Sequence, residues 1–177
     1  MNPRCSVFIA TSLDGFIAED DGALDFLAVV EDPTTDYGYG EFIASVDAVV
    51  MGRATYEVGL GFAAWPYGGQ RVVVLTSGSP QESANGEEFS SDDPATLVAR
   101  LGAEGVRRIY VDGGATIRSF LAAGLIDDIV ISVVPRILGR GIPLFGLGIP
   151  SLDLRLESSE TFDTGLVQLR YTRTVPA

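Results

Sequence analysis

The chain has 177 residues, 46% of them hydrophobic, with a net charge of −12. That length suits one domain burying roughly 70% of its unfolded surface, the composition excludes disorder, and the charge argues against binding nucleic acid or anionic lipid. Histidine and lysine are both missing, all 12 basic residues being arginine. This removes His-based triads, His-containing zinc sites, Schiff bases and the Walker-type phosphate loop, and leaves carboxylates, hydroxyls, water or a bound cofactor to carry any chemistry.

In chain order, Val7 to Ala10 is a short apolar run that reads as a first strand. It runs into Ser12-Leu13-Asp14-Gly15-Phe16-Ile17-Ala18 and then the acidic turn Glu19-Asp20-Asp21-Gly22. A loop leaving a strand end in an open α/β sheet is where ligands bind, so Asp14 is either a site carboxylate or a turn residue before Gly15. Leu24 to Val30 is an apolar patch stopped by Asp32-Pro33, and Asp36 to Ser45 carries a helix behind the loop Tyr37-Gly38-Tyr39-Gly40. No complete G-x-G-x-x-G follows a strand, so a Rossmann dinucleotide signature is missing.

Ala48 to Met51 is a second buried strand, followed by Gly52 and a helix start holding Arg53 and Thr55. An arginine there either forks onto a phosphate or is a solvated helix-end charge. Gly59 to Gly69 reads as a loop, and Val72 to Leu75 as a third strand ending in the hydroxyls Thr76-Ser77. Gln81 to Ser91 reads as a polar surface loop with a short strand at Glu88-Phe89; Asp93-Pro94 then signals an N-cap and a helix from Ala95 to Leu101.

Arg107 to Ala123 is the most informative stretch. Ile109, Tyr110 and Val111 form a buried strand, Ile117, Phe120 and Leu121 one helix face, and Gly113-Gly114 lies between them. Such a pair is either a tight turn or a place where free helix N–H groups meet an anion. Asp112 could cap that helix, but it would repel a phosphate placed beside it. Asp128 to Val134 is a long β-branched strand, Arg136 to Pro150 a long Gly/Pro loop of the kind that carries function, and Leu152 to Tyr171 alternates as a half-exposed antiparallel hairpin turning at Thr161 to Gly165.

The pattern predicts a single α/β domain over residues 1–177: a mostly parallel central sheet flanked by helices, finished by a C-terminal antiparallel hairpin. Cys5 is the only cysteine, and no apolar run is long enough to span a membrane or serve as a signal core, which points to the cytoplasm. The apolar strand Ile129 to Val134 and the loop after it exceed what one small domain needs to cover, which predicts a homodimer.

Five motifs in order carry a resemblance. They are Ser12 to Ala18, Val50 to Glu57, Val74 to Ser77, Val111 to Ala115 and Arg136 to Phe145. Together they resemble the dihydrofolate reductase-like superfamily, and more closely the stand-alone bacterial proteins related to the C-terminal reductase domain of the riboflavin-biosynthesis deaminase-reductase. The resemblance implies an NADPH-dependent reductase transferring hydride to a small heterocyclic or ribosylaminopyrimidine-like substrate, without metal. It places the NADPH 2′-phosphate at Arg53, Thr76 and Ser77, and the pyrophosphate at Gly52, Thr55, Ala115 and Thr116. Gly113 and Gly114 match a pair joined by a cis peptide in dihydrofolate reductases; Ala10, Ile17 and Ala18 would line the nicotinamide pocket. Water or Asp14 would supply the proton, and Asp25 is either the nearest match to the pterin-binding acid or a helix-entry turn residue. Two departures stand out: Phe16 replaces a usual lysine, and Asp112 a frequent glutamate. The alternative is a nucleotide-, flavin- or pterin-binding protein that kept the fold without turnover.

Overall fold

A computed structural model describes residues 2–78 and 83–174. Ten strands and four α-helices follow one another as β1 (Arg4–Ser12), β2 (Phe16–Ala18), α1 (Tyr39–Ala44), β3 (Ala48–Gly52), α2 (Arg53–Leu60), β4 (Arg71–Leu75), β5 (Glu88–Ser90), α3 (Pro94–Ala103), β6 (Arg108–Asp112), α4 (Gly114–Ala122), β7 (Ile126–Val134), β8 (Ile142–Pro143), β9 (Leu154–Thr161) and β10 (Val167–Arg173). Eight of them form one sheet in the order β5-β4-β3-β6-β1-β7-β10-β9. Pairing is parallel from β5 to β7 and antiparallel at β7–β10 and β10–β9. The predicted architecture of a mostly parallel sheet with a C-terminal antiparallel pair is what forms.

Alternation along the strands explains why both faces are covered. Val50, Val73, Ile109, Val111 and Val7 point to one face, where α3 and α4 lay down Leu97, Leu101, Ile117 and Phe120. Val49, Met51, Val72, Val74 and Tyr110 point to the other, against Phe42 of α1 and Tyr56 of α2. A third cluster joins Phe26 and Val30, on a 3-10 turn at Asp25–Val30, to Val134 and Leu166.

Local chemistry sets the boundaries. The first strand runs well beyond its apolar run because Ser6, Thr11 and Ser12 are buried in the ladder, with the Ser6 hydroxyl donating to Asp128 at 2.8 Å. Asp93 accepts the amides of Ala95 and Thr96 at 3.0 and 3.1 Å and caps α3, which runs through Gly102 to Ala103. Helix α2 extends to Leu60, inside the stretch expected as loop. The Arg136–Pro150 loop contains β8, whose antiparallel pairing with β2 makes a small flap. Strand β9 is exposed along its whole length, not on alternate residues, since it forms the sheet edge and nothing of the described chain covers it. No helix among the described residues is long and apolar enough to cross a membrane.

Phe120 is fully enclosed between α4 and the sheet. Phe120→Ala is expected to destabilise the domain by about 3–5 kcal/mol, read by urea denaturation, because it leaves a ring-sized void between α4 and the sheet.

Candidate functional site

Strands β1, β3 and β6 lie together in the sheet, and their carboxyl ends open into a cavity of about 900 Å³. Ala10, Gly52 and Asp112, at or near those three strand ends, all form part of its wall. This is where an open α/β sheet presents loops to a ligand, since the chain leaves β1 in one direction and returns to its other side at β7.

Two helices begin at this wall. Helix α2 starts after Gly52 and α4 after Gly113, and neither has a side chain capping its N-terminus, in contrast to α3 with Asp93. Their first-turn amides are therefore left for an outside acceptor, and their dipoles add positive potential. The starts are packed too tightly for larger residues. A Cβ on Gly113, whose φ is +86°, would collide with Thr55; one on Gly114 would lie 2.7 Å from Ile17; one on Gly52 would lie 3.1 Å from the Thr116 hydroxyl. Glycine at these positions lets the two helix starts and the β2 flap close on one another. The bond joining Gly113 to Gly114 is trans, correcting the cis expectation: no cis peptide occurs among the described residues.

Two arginines flank these helix starts. Arg53 forms an i,i+4 pair with Glu57 at 2.9 Å and remains 43% exposed. Its guanidinium also approaches the Thr76–Gly78 turn, lying 3.9 Å from where a Gly78 Cβ would stand, with Thr76 Oγ1 3.5 Å from that point. Arg118, not singled out in the sequence, donates to the Pro143 carbonyl at 2.5 Å and lies beside Gly114.

Of the twelve residues matched to cofactor contacts, Ala10, Ile17, Ala18, Gly52, Arg53, Thr55 and Gly113 to Thr116 line this one cavity. Thr76 and Ser77 do not; they sit in the turn beside Arg53, where the Thr76 hydroxyl accepts the Gly78 amide at 3.1 Å. Asp25 is exposed on the 3-10 turn and also lies off the wall, which takes Leu24, Phe26 and Leu27 instead.

Asp14 lies elsewhere. Its carboxylate accepts the Ser12 hydroxyl at 2.6 Å and the amides of Leu138 and Gly139 at 3.1 and 2.7 Å, tying the loop after β1 to the loop after β7. The Ser12 hydroxyl, helped by the two amides, holds its carboxyl down at about 2. An acid that strong, off the cavity wall, is an anchor for the flap and a poor proton source, which corrects the role expected for it.

The carboxyl that does line the cavity is Asp112. It accepts the Tyr67 hydroxyl at 2.7 Å and the Gly113 amide at 2.8 Å. Burial raises it above its ordinary value, against the lowering effect of those bonds, and so favours the neutral acid. That shift weakens the repulsion Asp112 would exert on a phosphate at α4. Tyr67 is 45 residues away in sequence, and no local pattern links the two. Tyr39 and Tyr110 complete this polar floor, their hydroxyls donating to the carbonyls of Pro66 and Phe8 at 3.1 and 2.9 Å.

Comparison with known proteins agrees with this geometry. The RibD C-terminal domain profile matches residues 3–168. The chain is 35% identical over 175 residues to the uncharacterized protein YwjB of Bacillus subtilis (strain 168), covering 98% of this chain and 99% of that one. Among solved structures it is similar to a candidate riboflavin biosynthesis protein from Shewanella sp. PV-4, with a TM-score of 0.89 and 39% identity over 99% of this chain and 100% of that one. It shares its fold with the diaminohydroxyphosphoribosylaminopyrimidine deaminase/5-amino-6-(5-phosphoribosylamino)uracil reductase of Thermotoga maritima, with a TM-score of 0.74 and 17% identity over 98% of this chain and 57% of that one.

Replacing Asp14 by Ala is expected to speed amide exchange at Leu138 and Gly139 while the sheet amides keep their protection. The same anchor depends on pH. Its carboxyl is lowered from 3.8 to about 2, so the contribution is full above 3.8 and is lost as pH falls through about 2. Exchange at those amides that ignores both the substitution and acid would contradict this role.

Proposed function

Because the chain belongs to the RibD C-terminal domain family, we propose that its cavity binds NADPH and reduces a C=N or C=O bond of a small heterocyclic substrate. The observation that carries this reading is the pair of uncapped, glycine-started helices α2 and α4 opening into one cavity, with Arg53 and Arg118 beside them. Two aligned sets of free amides suit a pyrophosphate, and Arg53 near Thr76 suits the further phosphate that distinguishes NADPH from NADH.

Bound dihydronicotinamide supplies the hydride. The chain's own work is to hold, orient and protonate. The amides of Ala115 and Thr116 face the phosphates, and Thr55 fixes the height of the Gly113 turn. Ile17 and Ala18, on the flap held by Asp14, close over the cavity with Ala10 below, which excludes water from the reacting bond. Asp112, kept toward its neutral form by burial, holds a proton at the floor with Tyr67 as its orienting partner. Glu57 competes with a phosphate for Arg53 at 2.9 Å.

Assembly is a second part of the proposal: two copies pack through the open face of the C-terminal strands. Register places Val133 beside Val167, Ile131 beside Leu169, and Tyr171 beside Leu156. A dimer is expected from the strand Ile129 to Val134 and the loop after it. Within the strand only Ile131 and Val133 support it, since Ile129, Val130 and Val134 are buried by this chain's own residues while these two remain partly open. Leu154 and Leu156, 37% and 50% exposed, extend the face to the sheet edge. A cytoplasmic home fits a chain whose one cysteine, Cys5, is buried and unpaired.

Arg53→Ala is expected to weaken NADPH binding about tenfold to a hundredfold and leave NADH nearly unchanged, whereas equal losses for both cofactors in parallel titrations would contradict the assignment. Asp112→Asn should retain NADPH binding, slow turnover and remove a pH dependence. With its folded value raised above 3.8, ionising Asp112 costs stability as pH rises through the raised value, so melting curves of the Asn variant should lose that decline. Light scattering should give a dimer at micromolar concentration and a monomer for Leu156→Asp; a monomeric parent protein would remove the assembly proposal. NADPH consumption with heterocyclic C=N and C=O compounds separates a reductase from a protein that only binds nucleotide.

A further inference from the structure

We infer that the substrate half of the cavity takes an uncharged, planar ring carrying the reducible C=N or C=O bond, and has no seat for a phosphate or carboxylate. The inference rests on the reductase reading and names its substrate class. Of the 12 arginines, only Arg53 and Arg118 touch the cavity wall, and both stand at the helix starts. The chain has no lysine or histidine to replace them. Among the other wall residues are Leu24, Phe26, Leu27, Val58 and Phe62, the rings of Tyr39, Tyr67 and Tyr110, and Ser119, whose hydroxyl is already donated to the Thr116 carbonyl at 2.8 Å.

The tyrosines do not offer a substitute. All three hydroxyl hydrogens are already donated, to Pro66 O, Asp112 and Phe8 O. What they leave toward the cavity are oxygen lone pairs, which accept an N–H from a ring but repel an anion. An anionic group seated here would lose its water and gain no cation or side-chain donor. Arg140, the nearest alternative, is 87% exposed, pairs with Asp20 at 3.2 Å and lies outside the wall. Phe16, where a lysine would bring a cation to the flap, adds none.

Flat aromatic and aliphatic walls suit a ring laid against them. In the reaction, the ring carbon of the C=X bond gains the hydride and the π pair moves to nitrogen or oxygen. That atom takes the Asp112 proton, and water returns a proton to Asp112. The ring is reduced and the dihydronicotinamide oxidised.

The test is calorimetry on the full chain, with and without NADP⁺, using quinoxaline, quinoxaline-2-carboxylate and 5-amino-6-(5-phosphoribosylamino)uracil. Fluorescence of the single tryptophan, Trp65, whose ring lies 5.0 Å from Tyr67, gives an independent readout. Quinoxaline is expected to bind about tenfold or more tighter than either anion, and Phe62→Arg, at a half-exposed position, should narrow or reverse that preference. Either anion binding as tightly as quinoxaline, or none of the three binding, overturns the inference. NADPH is titrated separately: if it fails to bind while the preference for quinoxaline persists, the reductase reading falls and the neutral-ring seat stands.

Discussion

The site depends on two helix starts that lack caps. Capping is the ordinary solution to the orphan amides of a first turn, and this chain uses it at α3, where Asp93 accepts from Ala95 and Thr96. At α2 and α4 it places glycine instead, and the two ends face one cavity. The packing itself requires that choice. A short side chain such as Ser at Gly52 would press on Thr116, and any side chain at Gly113 would strike Thr55, so the same contacts that forbid a cap bring the helices close. The cost of exposed amides is local; the field they make is available to an anion.

Charge has to be solved locally because the whole chain opposes it. A net charge of −12 repels a polyphosphate at long range, but screening at cell-like salt limits that reach to about 8 Å. Locally, Arg53 and Arg118 stand beside two helix starts whose dipoles add positive potential. The one carboxyl on the cavity floor, Asp112, is pushed toward its neutral form by burial. The same shift that weakens repulsion of a phosphate also favours the protonated form that the proposed reduction would use. Arg53 and Arg118 are the arginines on the wall, so cofactor phosphates held by both would leave no arginine there for an anionic substrate.

Much of this was legible in the sequence. Continuous apolar runs marked the buried strands, Asp93-Pro94 marked a cap, and Gly113-Gly114 between a strand and an apolar-faced helix marked the turn on which the cavity is built. The cofactor matches at Gly52, Arg53, Thr55 and Ala115 fell on one wall because each lies at the start of a helix, a feature that local pattern encodes. Long-range pairings were not legible. Asp14 meets amides 124 and 125 residues away, so its role as an anchor could not be told from that of an acid at a strand end. Asp112 meets Tyr67 across 45 residues, and β2 meets β8 across a loop with no strand pattern of its own. Strand order and the bare edge at β9 belong to topology, which alternation does not record.

If both helix starts serve one anion, amide NMR during titration with NADP⁺ will show it. The backbone amides of Arg53 to Thr55 and of Gly114 to Thr116 are then expected to shift together, saturating at one concentration. Shifts confined to one helix start, or absent from both while NADP⁺ binds, would contradict it.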